Sequence, residues 1–285
     1  MKHPIILDAC TIINLLRIDD MDDRFLYTHI TSLNLHIAEM VQNEVKDNFR
    51  KNDLSNENTK TIDKAIEDFR QHLLSHNGFH LDCDIINGID SDYFNKIKEC
   101  SKYEKRVNGE LLSAALALLL SRNESTRVFF YTDDNPARIQ YSPFFSLQQI
   151  GTIMDTVDLL IFLYWSNKDF KLRDLDKYLS NLWEDVNQPL KKLINEIIEI
   201  QGKANHTNKL DKNTKTYIDA IIEGYKELNV SDISKAITQL KQLKKAPNIV
   251  KIINKYPYIE KECELIRKIR ETRAAIKKHG IYKLP

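Results

Sequence analysis

A helix that is apolar on every side has to be covered on every side, and residues 110–121, ELLSAALALLLS, form such a segment. Asn108 or Gly109 is placed to cap it. Just downstream, residues 128–131 (VFFY) are β-branched and aromatic, a strand pattern that stops at the polar run 132–136, TDDNP. Upstream, Ile5 to Leu7 reads as a buried strand, continued by an apolar helix over 11–16. Leu33 to Ala38 reads as a second strand. Residues 39–49 read as a helix with Met40, Val41, Glu44 and Val45 on one face. Amphipathic helices are predicted over 59–75 and 92–105, separated by the turn signals Asn77-Gly78 and Asn87-Gly88. A last strand is predicted near 145–149, before Gly151, and a helix over 152–165. Strands alternating with helices predict an α/β layer with a small, mainly parallel sheet.

From about residue 170 the pattern is helical throughout. Leu190, Leu193, Ile194, Ile197 and Ile198 make one stripe; Tyr217, Ile218, Ile221, Ile222 and Tyr225 make another. Ser231 is the expected N-cap of a helix carrying Ile233, Ile237, Leu240 and Leu243. Pro247 and Pro257 break the chain before a final helix of about 20 residues that starts at Ile259. The expected organisation is an α/β domain over 1–165 and an all-helical domain over 166–285.

Charge divides the chain in a similar way. Residues 1–185 carry 21 basic and 30 acidic side chains, a balance of −9; residues 186–285 carry 21 and 11, a balance of +10. A basic last third suggests an anionic partner, and Lys241, Lys244, Lys245, Lys251 and Lys255 are its closely spaced candidates for nucleic-acid contact. Solvated helices collecting lysines are the plain alternative.

Several function classes drop out. Only seven glycines occur in 285 residues, and neither GxGxxG nor GxxxxGK[ST] is present, so glycine-rich phosphate cradles are excluded. Four cysteines, at 10, 83, 100 and 263, lack the short spacings of zinc knuckles or a disulfide framework. His72, His76 and His80, with Cys83 behind them, have a helical spacing, but Gly78 interrupts the face they would share. No HExxH or GxSxG occurs. No apolar run is long enough to span a membrane, and MKHPIILDAC lacks a signal-peptide core, so a cytoplasmic location without membrane association is expected.

Acids stand where an α/β sheet delivers side chains to its edge. Asp8 ends the first strand, Glu44 lies within an apolar helical stripe, Glu110 opens the apolar helix, and Asp133 and Asp134 follow a strand. Each has an ordinary reading as a cap, a turn or an exposed helix edge. Together they suggest a carboxylate cluster that stays ionised only with a cation. Oxygen-only ligands select Mg²⁺ or Mn²⁺, ions suited to phosphodiester hydrolysis.

The segments LDACTIINLL (7–16), EMVQNEVKDN (39–48), GELLSAALALLL (109–120) and VFFYTDDNPAR (128–138) resemble the four acidic motifs of PIN-domain nucleases in order and approximate spacing, over about residues 1–165. DDNPAR followed by IGT (150–152) is similar to the ending of one group of prokaryotic PIN proteins. The resemblance implies a PIN-like α/β/α sandwich and a ribonuclease acting on single-stranded RNA, as in the toxins of toxin–antitoxin pairs. It implies Asp8, Glu44, Glu110 and Asp134 as catalytic acids and ligands of Mg²⁺ or Mn²⁺, with Asp133 an adjacent ligand. Thr11, Asn135 and Arg138 are the expected substrate contacts. Where many relatives carry Ser or Asn this chain has Cys10, and the Thr11 hydroxyl is the expected replacement. An antitoxin or other protein partner, and a homodimer, are the assemblies this reading admits. The helical region has no counterpart in the short toxins. A haloacid-dehalogenase phosphatase would need a second Asp at position 10, where Cys10 stands. A non-catalytic RNA- or protein-binding scaffold is the rival reading.

Overall fold

The computed structural model describes residues 3–19, 25–30, 33–52, 79–82, 91–100, 107–205, 211–227, 229–243, 247–256 and 258–282. In chain order the elements of the first part are β1 (Ile5–Leu7), α1 (Ala9–Ile18), α2 (Phe25–Ile30), β2 (Leu35–Ala38), α3 (Glu39–Asn52), β3 (Phe79–Asp82), α4 (Ser91–Cys100), α5 (Gly109–Asn123), β4 (Val128–Tyr131), α6 (Asn135–Leu147), β5 (Gly151–Met154) and α7 (Thr156–Ser166). The five strands form one sheet in the order β3-β2-β1-β4-β5. Every pairing is parallel, with Ile5 opposite Leu35 and Phe129, Leu35 opposite Phe79, and Val128 opposite Gly151. An α/β layer with a small parallel sheet is therefore present.

The continuous apolar runs of the strands follow from burial on both faces. β1 and β2 are buried at every position. The apolar helix is α5, in which every residue from Leu111 to Leu119 is buried. It packs against α4, α3, β4, β2 and β1, which is the all-round cover its sequence demands. Asn108 caps it by accepting from the Leu111 amide at 3.0 Å.

Two expectations are corrected. The segment near 145–149 is not a strand: α6 runs through it to Leu147, and β5 begins at Gly151. The apolar residues Ala137, Tyr141 and Phe145 recur every fourth position and are buried together, so helical burial outweighs the strand-like composition of Phe144 and Phe145. The helix expected from 152 starts at Thr156, because residues 151–154 pair with β4 and Asp155 caps the helix after them. β3 is an addition to the expected strands: its pairing with β2 places residues 79–82, His80 among them, in the sheet. The expected helix 59–75, both Asn-Gly turns, His72, His76 and Cys83 lie outside the described residues.

The second part contains α8 (Leu172–Asn205), α9 (Lys212–Lys226), α10 (Val230–Gln242), α11 (Pro247–Ile253) and α12 (Ile259–His279). Two compact units are present, one of Met1–Tyr178 with Tyr282–Pro285, the other of Leu179–Ile281. The division between these units falls inside α8. Tyr178 explains this: it stacks on Phe170 and its hydroxyl reaches Asp19 Oδ1 at 3.3 Å, tying the first turns of α8 to the sheet-containing unit.

Leu190, Leu193, Ile194 and Ile197 of α8 are buried, as are Ile218 and Ile221 of α9 and Ile233, Ile237 and Leu240 of α10; Ile198 is exposed. The cap of α10 is Asn229, not Ser231, which sits inside the first turn. Gly224 lets α9 approach the start of α10: a Cβ there would meet Ile233 Cγ1 at 3.0 Å and the Asn229 carbonyl at 3.2 Å. Among the described residues, no helix is long and apolar enough to cross a membrane.

Candidate functional site

The strand order reverses at β1, with β2 and β3 on one side and β4 and β5 on the other. In open parallel sheets, ligands collect beyond the carboxyl ends of the strands at this reversal. Asp8 follows β1 directly, and Asp133 and Asp134 follow β4 after Thr132. α3 leaves β2 without a loop and carries Glu44 in its second turn. α5 ends shortly before β4 begins, so it runs back along the sheet and its first turn, with Glu110, starts toward the same edge. Topology delivers the expected acids to the carboxyl edge.

Asp8 is 3% exposed. Its Oδ2 accepts from Thr132 Oγ1 at 2.9 Å and from Cys10 Sγ at 3.0 Å. Cys10 Sγ also accepts from the Asp133 amide at 3.1 Å. Cys10 thus links Asp8 to the chain just after β4. Thr11 is fully buried and its hydroxyl has no hydrogen-bond partner. Asp8 Oδ1 is also buried with no hydrogen-bond partner. A buried carboxylate oxygen left unpaired is costly.

Asp133 is held differently. Its Oδ1 accepts from the Thr156 amide at 2.9 Å, and its Oδ2 from Asn14 Nδ2 at 2.8 Å and from the Thr156 hydroxyl. Burial, followed by the charge of Asp155, pushes its carboxyl above the ordinary aspartate range, while the Thr156 and Asn14 bonds pull the other way. It joins the end of β4 to α1 and to the first turn of α7. Asp134 is the N-cap of α6 and accepts from the Ala137 amide at 3.1 Å; its own amide donates to Thr132 Oγ1 at 3.1 Å. Asn135 is half-buried in the first turn of α6. Arg138 pairs with the buried Asp155 at 2.7 Å, and Asp155 caps α7 through a reciprocal bond with Asp158.

Glu44 Oε1 accepts from the Gly109 amide at 2.8 Å, and Asn108 Nδ2 lies 3.5 Å from Glu110 Oε2. Gly109 is required by this approach: a Cβ there would overlap the Glu44 carboxylate and come within 2.9 Å of Val41 Cγ2. Two local groups result, Asp8 with Cys10, Thr132, Asp133 and Asn14, and Glu44 with Gly109, Asn108 and Glu110. Among the described residues, no three His, Cys, Asp or Glu side chains stand in a ready metal-holding group.

Sequence reasoning missed Thr132, Asn14, Asp155 and Thr156. Asn14 had a signal, as the one amide inside the apolar run TIINLL. The partners of the other three are set by chain segments far away in sequence. In the helical unit, two of the five candidate lysines have acidic partners: Lys241 with Glu260 at 3.0 Å and Lys255 with Glu196 at 2.7 Å. Lys251 is exposed, and Lys244 and Lys245 lie outside the described residues. Comparison with protein-family models, with curated proteins and with solved structures gives no match.

Proposed function

We propose that this chain is a PIN-type endoribonuclease that hydrolyses single-stranded RNA with Mg²⁺ or Mn²⁺, its first domain an α/β/α sandwich. The observation that carries the reading is Asp8 at the reversal point of the sheet, with one carboxylate oxygen doubly held and the other buried and unpaired. Such an oxygen, in an all-oxygen donor set, fits a hard divalent cation. Asp8, Glu44, Glu110 and Asp134 are the residues that would hold it. When bound, the ion would neutralise phosphate charge and lower the pKa of its water.

The chain's own residues do the positioning. Thr132 and Cys10 fix Asp8 Oδ2 and so orient Oδ1. Asp133, held by three donors, anchors the edge and is a support rather than a ligand in this reading. Arg138 locks α6 to the capped start of α7 through Asp155, so its reach to substrate would come at the expense of that pair. Glu44 braces the first turn of α5 beside Glu110. A toxin or defence role, a cytoplasmic setting and an antitoxin partner belong to the same reading.

The scaffold reading, in which the chain binds RNA or protein without cleaving, is favoured by one contact: the Gly109 amide already occupies Glu44 Oε1. One experiment separates the two. The chain should cleave single-stranded RNA with Mn²⁺ and stop in EDTA, and Asp8→Asn should lower the rate by at least about a hundredfold. Mn²⁺ should also raise the melting temperature of the parent more than that of Asp8→Asn. Full cleavage in EDTA, or an Asp8→Asn variant as active as its parent, refutes the proposal.

A further inference from the structure

The sheet ends on one side at β5, whose residues, GTIM, include no proline and no charged side chain. The Val128 amide donates to the Ile150 carbonyl at 2.9 Å, and the Thr132 amide to the Met154 carbonyl at 2.8 Å. Alternation along a parallel ladder then turns the backbone groups of 150, 152 and 154 toward β4, and those of Gly151 and Ile153 outward. Among the described residues, no chain segment pairs with that outer edge. Unpaired N–H and C=O groups are a template for another strand, and β5 lacks the lysine or proline that commonly blunts one. Its short length limits the addition to a short segment.

A groove of about 420 Å³ lies beside this edge, lined by Ile153, by Ser142, Phe145 and Ser146 of α6, and by Arg127 and Gln149 of the flanking turns. Ile153 is opposite Phe130, which stacks on Phe145, so its side chain is on the α6 face of the sheet. A residue added opposite Ile153 puts its side chain on that same face. Gly151 adds no side chain to the groove, and a Cβ there would overlap the Val128 carbonyl. Arg127 is exposed, and among the described residues its guanidinium reaches only the neutral Gln149 Oε1, at 3.2 Å. In an adjoining groove, Arg122 bonds to the Gln148 carbonyl at 2.7 Å and its side-chain oxygen at 3.4 Å, both neutral. No Asp or Glu lines either groove, the exposed Glu124 of the same turn included. The end of α5 accounts for Arg122 through the helix dipole, but Arg127 lies beyond that helix.

We propose that the β5 edge takes up an extended acidic segment of a partner protein as an added strand, with a carboxylate side chain in the groove at Arg127. Main-chain bonds to Gly151 and Ile153 hold the segment, and Arg127 selects its side chain. Charge complementarity favours this occupant over a second copy of the chain. A second β5 would present GTIM, which has no carboxylate for Arg127, and the next acid, Asp155, is buried and paired with Arg138. The groove lies at the amino ends of β4 and β5, away from the carboxyl edge that holds Asp8, so it stands or falls apart from the nuclease reading.

The test is selection of a phage-displayed random heptapeptide library on the full chain, then fluorescence anisotropy of the selected peptides made synthetically. Selected sequences should be enriched in Asp or Glu flanked by Val, Ile or Thr, the residues of extended chain. Ile153→Pro removes an outward N–H without touching the β4 ladder, and should weaken binding by about tenfold or more. Arg127→Glu should turn the selected preference from acidic to basic residues. Of two peptide copies N-methylated on alternate sets of backbone nitrogens, one should lose binding to the parent and the other keep it, because only one set faces β5. That comparison decides the strand pairing even where Ile153→Pro fails to fold. No enrichment, a preference for apolar or basic peptides, equal binding by folded Ile153→Pro, or the same result for both methylated copies overturns the proposal. So does a parent that sediments as a dimer while Ile153→Pro sediments as a monomer, which would give the edge to a second copy. A chain that selects acidic peptides but does not cleave RNA loses the nuclease reading and keeps this surface.

Discussion

Asp133 and Glu196 are both acids held by more than one donor, yet they belong to opposite kinds of structure. Asp133 is buried at the edge of the sheet, and its partners come from α1 and α7, far away in sequence. Glu196 sits on the surface of α8 and accepts from Lys255 Nζ and the Tyr256 hydroxyl, each at 2.7 Å. A buried polar group that loses its partner has no water to turn to, whereas an exposed one exchanges its partner for solvent. Asp133 therefore holds bonds that solvent cannot replace. Glu196 makes its bonds where solvent can replace them, in a unit whose apolar stripes are buried.

That contrast can be broken by mutation, and the largest expected effect lies at Asp133. Asp133→Ala leaves the Thr156 amide and Asn14 without their acceptor, and should cost about 2–3 kcal/mol of unfolding free energy in urea melts. A loss below about 0.5 kcal/mol would mean that water or a neighbour satisfies those donors, and the contrast would fail. Gly109→Ala comes next. The added methyl displaces the Glu44 carboxylate and should cost about 1–2 kcal/mol by the usual penalty for overpacking, with Glu44→Ala/Gly109→Ala less than additive. Strict additivity in that cycle would show that the two residues do not meet.

The smallest effect belongs to Glu196. Its hydrogen bond from Lys255, then that from Tyr256, hold its carboxyl below the ordinary glutamate range. The same contact and burial, burial foremost, push the Tyr256 hydroxyl up to about 12. An acid whose folded pKa is lowered stabilises fully above its unfolded value and loses that contribution as pH falls through the folded one. Glu196→Gln should therefore lose less stability than its parent between pH 6 and 3, by under about 1 kcal/mol, since the pair is largely exposed. Parallel pH profiles would show that the contact is not maintained in solution.

The same divide separates the features legible in the sequence from the rest. The strands at Ile5–Leu7 and Val128–Tyr131, the apolar helix beginning at Gly109 and the long stripes of α8 to α10 are visible because apolar periodicity is a local property. The 145–149 segment misleads because aromatic residues suit both strand and helix, and only the shared burial of Tyr141 and Phe145 chooses between them. β3 is invisible because Phe79–Asp82 mixes His and Asp with two apolar residues, and its place is set by pairing with β2.

At the candidate site, the identity and spacing of Asp8, Glu44, Glu110, Asp133 and Asp134 are properties of the sequence alone, as is the lysine-rich last third. Their states are not. That Cys10 rather than Thr11 contacts Asp8, that Asp133 is saturated while an oxygen of Asp8 is bare, and that Lys241 and Lys255 are neutralised were decided by the tertiary structure. The reason is physical. A side chain's type is written at its own position, but its solvation and its partners depend on segments up to 124 residues away, as with Thr132 and Asp8.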